Sequence, residues 1–543
     1  MYRIAVFLVC AFEFSFGKNI LILSGVPSPS HSIWLRPLAT ALAADGHNVT
    51  VVSPDIEKKP PANLTYVHLE TLYSEMYNTS QRDNLQFFEM ADEGPLKMLS
   101  FLDEFTIIMC KASIRSVGFK HLMDYPKDFK FDLFMSDYMI GPCLASLLIY
   151  RFGSPPYIPV APYNALATSA PLIGSYAYSA SIPNHSFDVP LKMSFLERVQ
   201  NFFYDSYEEL RKDTYLYPET DAIIRSVFPN APSARELQSN IKLLFINNNP
   251  LIQYKEPMMP NVIPVGGMQI RPPKPLPDDL NRIVSKSKNG FILFSLGSNA
   301  RSDLLGQDRI RCVMTAMKAF PQFQFLWKFE SDESKLPMAI PENVFIRAWM
   351  PQNDLLGHPN IKLFMTHSGL LSTQEAIWNG VPILGFPLFA DQFRNINYCS
   401  SIGVARRQSI QRCNAQELIK TIRELTGNPS YNAKMKRLSQ LVQDQPETPL
   451  QRAVWWVNWV LRNPDVSVLQ SSVMQMGISK HPLDPPNGPF QRCLRLIPEV
   501  LRKSFAFSVL YEGSVTIARI ASISSSTAKV SSESLRATPI DVQ

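Results

Sequence analysis

Four short segments in the second half of the chain carry side chains suited to a phosphorylated, hydroxyl-rich ligand. Gly297-Ser298-Asn299 follows the apolar run FILFSL. A glycine and a hydroxyl there let backbone amides approach a phosphate, although an ordinary turn has the same spelling. Trp349-Met350-Pro351-Gln352 pairs an aromatic face with a carboxamide that both donates and accepts, a pairing suited to a nucleobase. A core tryptophan beside a turn is the other reading. In THSGLLSTQEAIWNG, His367 ends a strand, Gly369 permits a tight turn and Ser372 falls in the first turn of a helix. Helix-start amides and the helix dipole favour an anion there, while a serine also serves as a plain cap. Glu375 lies on the same helix, within reach of hydroxyls on a ligand whose phosphates sit at the helix start. Asp391 and Gln392 open the next helix, where a carboxylate and a carboxamide can clamp vicinal hydroxyls.

Two residues of the first half suit proton transfer. His31 closes the loop GVPSPSH after the strand NILILS, and Asp137 ends the strand FDLFMSD. Imidazole titrates near neutrality, and a carboxylate can orient it and stabilise its cation. Strand ends of one sheet lie close together however far apart they are in sequence. A lone loop histidine also has a purely structural reading.

These residues need elements to hold them. The strand 19–24, the helical stretch SIWLRPLATALAAD and the strand NVTVVSP form a β-loop-α-β unit, which implies a parallel sheet. The span 257–285 is rich in proline and reads as an extended linker. Beyond it the pattern restarts, with strands expected at 291–298, 323–328, 344–349 and 361–367. The reading is two consecutive α/β domains with a proline-rich hinge, 18–256 and 286–462, the second with a terminal helix. Ligands of such sheets bind outside the carboxyl ends of the strands, where all the candidate residues stand.

Composition narrows the class. Among 543 residues, Lys plus Arg (53) exceeds Asp plus Glu (47) by only 6, and no basic run resembles a nucleic-acid arm. No Cys-x-x-Cys and no His-Glu-x-x-His occurs, so a zinc site is not expected. Residues 1–17 join Arg3 to a short apolar core and the small residues Ser15 and Gly17, the pattern of a cleaved signal peptide. The chain is then expected to enter the secretory pathway. The Asn-X-Ser/Thr triplets at Asn63, Asn78 and Asn184 are candidate glycan acceptors, whereas the one at Asn48 is discounted because it reads as a strand residue. The remaining cysteines allow disulfides without demanding them. After Asn463 the tail to residue 543 carries no run of about 18 apolar residues suited to a span. It is expected to be partly disordered and Ser-rich at its end. A basic amphipathic stretch at 492–503 suits peripheral contact with a membrane.

The run WMPQ followed by THSGLLSTQEAIWNGVPILGFPLFADQ resembles the signature of the UDP-glycosyltransferase family, which includes the animal UDP-glucuronosyltransferases. The spelling is closest to the arthropod branch. The resemblance covers about residues 19 to 462 and includes SLGSNARS and VWWVNWVLRN. It implies a GT-B fold, α/β with two Rossmann-like parallel-sheet domains facing across a cleft, an acceptor-binding first domain and a UDP-sugar-binding second domain. It assigns uracil to Trp349 and Gln352, and the diphosphate to Ser298, His367, Ser372 and the tight turn at Gly369. Ribose falls to Glu375 and the sugar to Asp391 and Gln392. Ser368 stands where many relatives carry Gly, and Leu371 where many carry Asn. His31 and Asp137 match the family's catalytic base and its partner, which implies inverting transfer of a hexosyl group, glucose or glucuronate, to a hydroxyl of a small lipophilic acceptor. No metal or other cofactor is expected, and residence in the endoplasmic reticulum lumen follows from the family. The family's usual membrane anchor is not found in the tail, and the oligomeric state is left open. Two other readings compete: a UDP-sugar epimerase of related fold, and a secreted carrier of lipophilic molecules that has lost turnover.

Overall fold

The computed structural model describes residues 17–78, 94–164, 169–175, 177–287 and 289–470. The expected signal segment up to residue 16 and the tail beyond residue 470, with its amphipathic stretch, lie outside the described residues.

Two fully parallel sheets organise the chain. The first has the order β3-β2-β1-β4-β5-β6-β7. Its members are β1 (Asn19–Leu23), β2 (Asn48–Ser53), β3 (Leu64–His68), β4 (Leu133–Asp137), β5 (Tyr157–Ala161), β6 (Leu244–Ile246) and β7 (Val262–Pro264). The second has the order β10-β9-β8-β11-β12-β13. Here β8 is Phe291–Ser295, β9 Gln324–Lys328, β10 Val344–Arg347, β11 Ile361–Thr366, β12 Ile383–Gly385 and β13 Ala405–Arg407. Both sheets are doubly wound, so the connections reverse direction between β1 and β4 and between β8 and β11. A crevice opens at each reversal, on the carboxyl side.

Strands covered on both faces must be apolar on both faces, and these are. Leu21 and Leu23 of β1 face one cluster with Phe134 and Cys143, packed by the helices Pro95–Arg115 and Pro142–Arg151. Ile20 and Ile22 face the other with Trp34, Leu35, Leu38 and Leu42 of the helix Pro29–Ala44. In the second sheet, Phe294 and Trp327 face one core, and Leu293 and Leu326 face the other beside Ala376 and Ile377 of the helix Leu370–Trp378.

Two features differ from the domain boundaries expected above. The span 257–285 is not all linker, because Val262–Pro264 pairs with β6 and closes the first sheet, and the helix Asp278–Lys286 begins the second domain. Prolines tolerated at a sheet edge disguise that strand as linker. The terminal helix Pro449–Arg462, expected in the second domain, packs on the first. Ala453, Val457 and Val460 join the cluster of Ile20, Ile22 and Leu38, and His47 Nε2 bonds Asn458 Oδ1 at 2.7 Å.

Cysteines pair as Cys110–Cys143 and Cys312–Cys413, and Cys399 is a buried thiol. Asn184 is buried and its amide bonds Asp205 and Glu208, which removes it as a glycan acceptor. Among the described residues no helix is long and apolar enough to cross a membrane.

The returning helix carries a testable consequence. Val457 is fully buried against the first sheet. Val457→Ala should cost about 2 kcal/mol, and hydrogen exchange should find the loss in β1 and β4 rather than in the second sheet. Protection lost only in β8 and β11 would contradict this packing.

Candidate active site

The site is built from the carboxyl ends of both sheets. In the first domain, Ser28 precedes Pro29, whose fixed φ suits the opening position of a helix. The helix therefore starts earlier than the sequence suggested, and His31 lies in its first turn rather than in the loop. Asp137 is the last residue of β4 and is fully buried. Because β1 and β4 are neighbours, with Leu23 opposite Ser136, the two residues meet across 106 positions. His31 Nδ1 donates to Asp137 Oδ2 at 2.5 Å, and Asp137 Oδ1 accepts from the Met139 N–H at 2.9 Å. A carboxylate acceptor puts the proton on Nδ1, which leaves Nε2 as the free base of the imidazole.

In the second domain the histidine His367 occupies a slot between two glycines. A β-carbon at Gly297 would lie 2.5 Å from His367 Cε1, and one at Gly369 would lie 2.4 Å from Nε2. Gly297 also has φ +83°, which suits glycine. Burial, helped by the charge of Lys328, lowers the His367 pKa to about 4, so the ring is neutral at physiological pH. The helix Leu370–Trp378 starts at Gly369 with no side-chain cap, so its first-turn amides are left for a ligand. Ser372 therefore does not cap; it accepts a bond from Gln352 Nε2 at 3.1 Å.

Trp349 is 60% exposed and lines the cavity, which rules out the core reading. Gln352 Nε2 also donates to Glu375 Oε2 at 2.8 Å. Burial pushes the Glu375 carboxyl up to about 7 despite Gln352 and Arg271. Gln392 Oε1 accepts from the Leu388 N–H at 2.8 Å and the Phe389 N–H at 3.3 Å, which shapes its own loop and leaves its NH₂ for a ligand. Asp391 Oδ2 accepts from Asn395 Nδ2 at 2.9 Å. Burial raises the Asp391 carboxyl, an effect opposed by Asn395, Arg394 and His31.

One cavity of about 530 Å³ gathers these groups. His31, Ser298, Trp349, Gln352, His367, Gly369, Ser372, Glu375, Asp391 and Gln392 line it, and Asp137 stands behind His31. Ser28 and Asn299 bond across it from opposite domains at 2.9 Å. Its first-domain wall is apolar, formed by Met98, Phe101, Leu102, Phe105 and Met139. Sequence reasoning missed Lys328, at the end of β9. Its Nζ donates to Gly297 O at 3.0 Å, pairs with Glu330 and lies 5.9 Å from the Trp349 ring centre. The available signal was a lysine closing the apolar run QFLWK at the same sheet edge. Arg271, from the proline-rich span, also lines the cavity and is clamped by Asp354 at 2.6 and 2.9 Å.

Known proteins resemble this chain over most of its length. Residues 21–476 match the family profile described as "UDP-glucoronosyl and UDP-glucosyl transferase". UDP-glucosyltransferase 2 of Dactylopius coccus is 31% identical over 461 residues, covering 82% of this chain and 84% of its own. Human UDP-glucuronosyltransferase 2B7 is 28% identical over 459 residues, covering 84% of each. Among solved structures, the calicheamicin glycosyltransferase CalG4 superposes with a TM-score of 0.55 at 15% identity, over 83% of this chain and 100% of that one. TcCGT1, solved in complex with UDP, gives 0.54 at 15% identity over the same shares. These structures share the GT-B fold with this chain.

Ser368 offers a test of the local geometry. It has φ +67°, it is fully buried, and its Oγ has no hydrogen-bond partner. A left-handed non-glycine residue and an orphaned hydroxyl both cost stability. Ser368→Gly should therefore raise stability by about 1 kcal/mol, and a lower melting temperature in the variant would overturn this account.

Proposed function

Since the chain belongs to the UDP-glucuronosyl and UDP-glucosyl transferase family and transfers a sugar from a UDP-sugar, we propose that it moves a hexosyl group onto a hydroxyl of a small lipophilic acceptor with inversion at the anomeric carbon. His31 Nε2 takes the hydroxyl proton while Asp137 holds the ring and stabilises the imidazolium. The acceptor oxygen attacks C1 as the bond to UDP breaks. The observation that supports this reading is the His31–Asp137 pair, opening onto the same cavity as the uncapped helix start beside His367.

The remaining roles follow the chemistry of each group. Trp349 stacks on uracil and Gln352 meets its edge. Glu375 accepts from ribose hydroxyls, and Asp391 with Gln392 holds the hexose. The amides after Gly369, the Ser298 loop, the neutral His367 N–H and the Lys328 cation offset charge growing on the departing diphosphate. With these groups in place the step requires no metal. The apolar wall of Met98, Phe101, Leu102 and Phe105 suits a lipophilic aglycone.

A neutral hexose fits better than a uronate. The cations Arg271 and Lys328 are held at the nucleotide end by Asp354 and Glu330, whereas the other end presents the Asp391 carboxyl. Arg394, one turn further along, points to the Pro183 carbonyl and the Tyr254 ring instead. The two disulfides and the N-terminal pattern of Arg3 with an apolar core support residence in the endoplasmic reticulum lumen.

Two experiments test the reading. His31→Ala should lower transfer by about 10²–10⁴-fold while leaving UDP affinity nearly unchanged; near-normal turnover would remove His31 from the chemistry. The second uses UDP-glucose, whose diphosphate stays ionised across the range. Ribose hydroxyls donate to Glu375, so binding needs the carboxylate, and this acid is raised to about 7. Affinity should therefore rise as pH climbs from about 6 to about 8, by at most about tenfold per unit, and then level off. Calorimetry on Glu375→Gln should show weaker and pH-independent binding. A flat native profile would place the ribose elsewhere.

A further inference from the structure

A second, polar chamber lies behind the apolar wall of the cleft. It holds about 90 Å³ and shares Leu102, Met139 and Tyr163 with the catalytic cavity, so these three side chains form the partition between the two. A space of that size takes several waters or one polar group of a ligand. The transfer step makes no use of it.

The helix Phe195–Arg211 turns a polar stripe inward, with Asn201, Tyr204, Asp205 and Glu208 at i, i+3, i+4 and i+7. Lys212 continues that stripe in a π turn, Lys212–Leu216, a form found mostly at functional sites. Glu208 and Lys212 line the chamber together with Asp103, Tyr138 and His185. Asp103, His185, Glu208 and Lys212 are each at most 9% exposed. Lys212 Nζ donates to the Tyr138 hydroxyl at 2.6 Å, and Arg211 pairs with Asp103. Burial, reinforced by Asp205, pushes the Glu208 carboxyl up to about 8, so at neutral pH it is mainly an O–H donor. Burial, reinforced by Arg394, lowers His185 to about 3, so its ring is neutral. His185 Nδ1 meets no hydrogen-bond partner among the described residues. An orphaned buried nitrogen costs stability, and a ligand group that meets it recovers the loss.

We infer that this chamber extends the acceptor site and takes a second hydroxyl of a lipophilic diol, remote from the reacting one; the inference rests on the transferase reading above. A hydroxyl both donates and accepts, so it satisfies His185 Nδ1 in either tautomer while accepting from Glu208. A charged group fits worse. The chamber already holds both signs, Lys212 and the Asp103–Arg211 pair, so a ligand ion of either sign would sit beside a like charge. The partition yields readily. Met139 is unbranched and adaptable, and the bond it accepts from the Tyr163 hydroxyl at 2.9 Å ends on a thioether, a weak acceptor. Its backbone N–H is tied to Asp137. The side chain therefore turns aside without moving the catalytic pair.

Acceptor selectivity tests the inference. para-Alkylphenols of increasing chain length are compared with the same phenols carrying a terminal hydroxyl. Each is assayed for transfer from UDP-glucose, and for binding to the native chain with UDP by calorimetry. In a wholly apolar pocket the terminal hydroxyl weakens the acceptor at every length. Here it should strengthen the acceptor at one length, by about tenfold in kcat/KM and in affinity. Glu208→Leu and, separately, His185→Phe should remove that preference while the plain alkylphenols react at near-native rates. Glu208→Gln keeps a donor and should retain it. The inference falls if the hydroxyl weakens binding at every length, or if both apolar variants keep the native preference. A binding preference without transfer to any phenol would instead overturn the transferase reading and leave the chamber's binding role standing, so the two failures are told apart.

Discussion

The cleft depends on parallel pairing at two places, β1 with β4 and β8 with β11. A parallel sheet gathers all its carboxyl ends on one edge, and the reversal of winding opens a crevice there. His31 and Asp137 come from the two sides of the first crevice. Gly297-Ser298 and His367-to-Ser372 come from the two sides of the second. A slip of one residue in the first pairing would turn Asp137 to the other face of the sheet and leave His31 without a partner. The buried apolar residues of each strand specify that register, because the same slip would also displace Phe134 and Met135 from their separate cores. Packing therefore holds the catalytic geometry, and the hydrogen bond reports it.

Burial in the cleft decides which groups carry charge. The donor wall contains acids and a histidine whose desolvation outweighs their partners: Glu375 is raised to about 7 and His367 lowered to about 4. A neutral His367 carries no positive charge, so the charge beside it comes from Lys328, which is kept buried by Glu330 and by the Gly297 carbonyl. An unpaired buried ammonium would cost several kcal/mol, which explains the acid beside it. The wall thus offers an anion mainly fixed N–H donors, which need no reorganisation to receive it.

Much of this was legible in the sequence because both sheets announce themselves through apolar strands followed by polar or glycine-bearing loops. The strand ends after β1, β4, β8 and β11 could be placed, and a search of those loops found His31, Asp137, Ser298 and His367. At Ser368, noted as a serine where many relatives carry glycine, the left-handed backbone explains why glycine suits the position. What could not be read has one common cause, which is long-range contact. Lys328 belongs to the site because β9 adjoins β8 and ends beside Trp349. Val262–Pro264 reads as linker because its prolines mask an edge strand. The helix Phe195–Arg211 buries its polar face, which only the long-range network around Asn201 shows.

The return of the helix Pro449–Arg462 sets how the two walls are joined. The chain crosses between domains twice, near residue 270 and again before Pro449, and the second crossing ends in an apolar anchor at Ala453, Val457 and Val460. Across the cleft the joins are apolar where Tyr254 packs against Tyr398 beside Ile252, and polar elsewhere: Ser28 with Asn299, Gln374 with Asn247 at 2.8 Å, and Arg407 with Asp188. Each such bond contributes only about 1 kcal/mol net, because water replaces it readily. The anchor would have to expose buried aliphatic side chains to let go, at about 25 cal/mol per Å². Parting the walls would therefore expose apolar surface at the anchor and again around Ile252 and Tyr254, so burial more than polar bonding joins them.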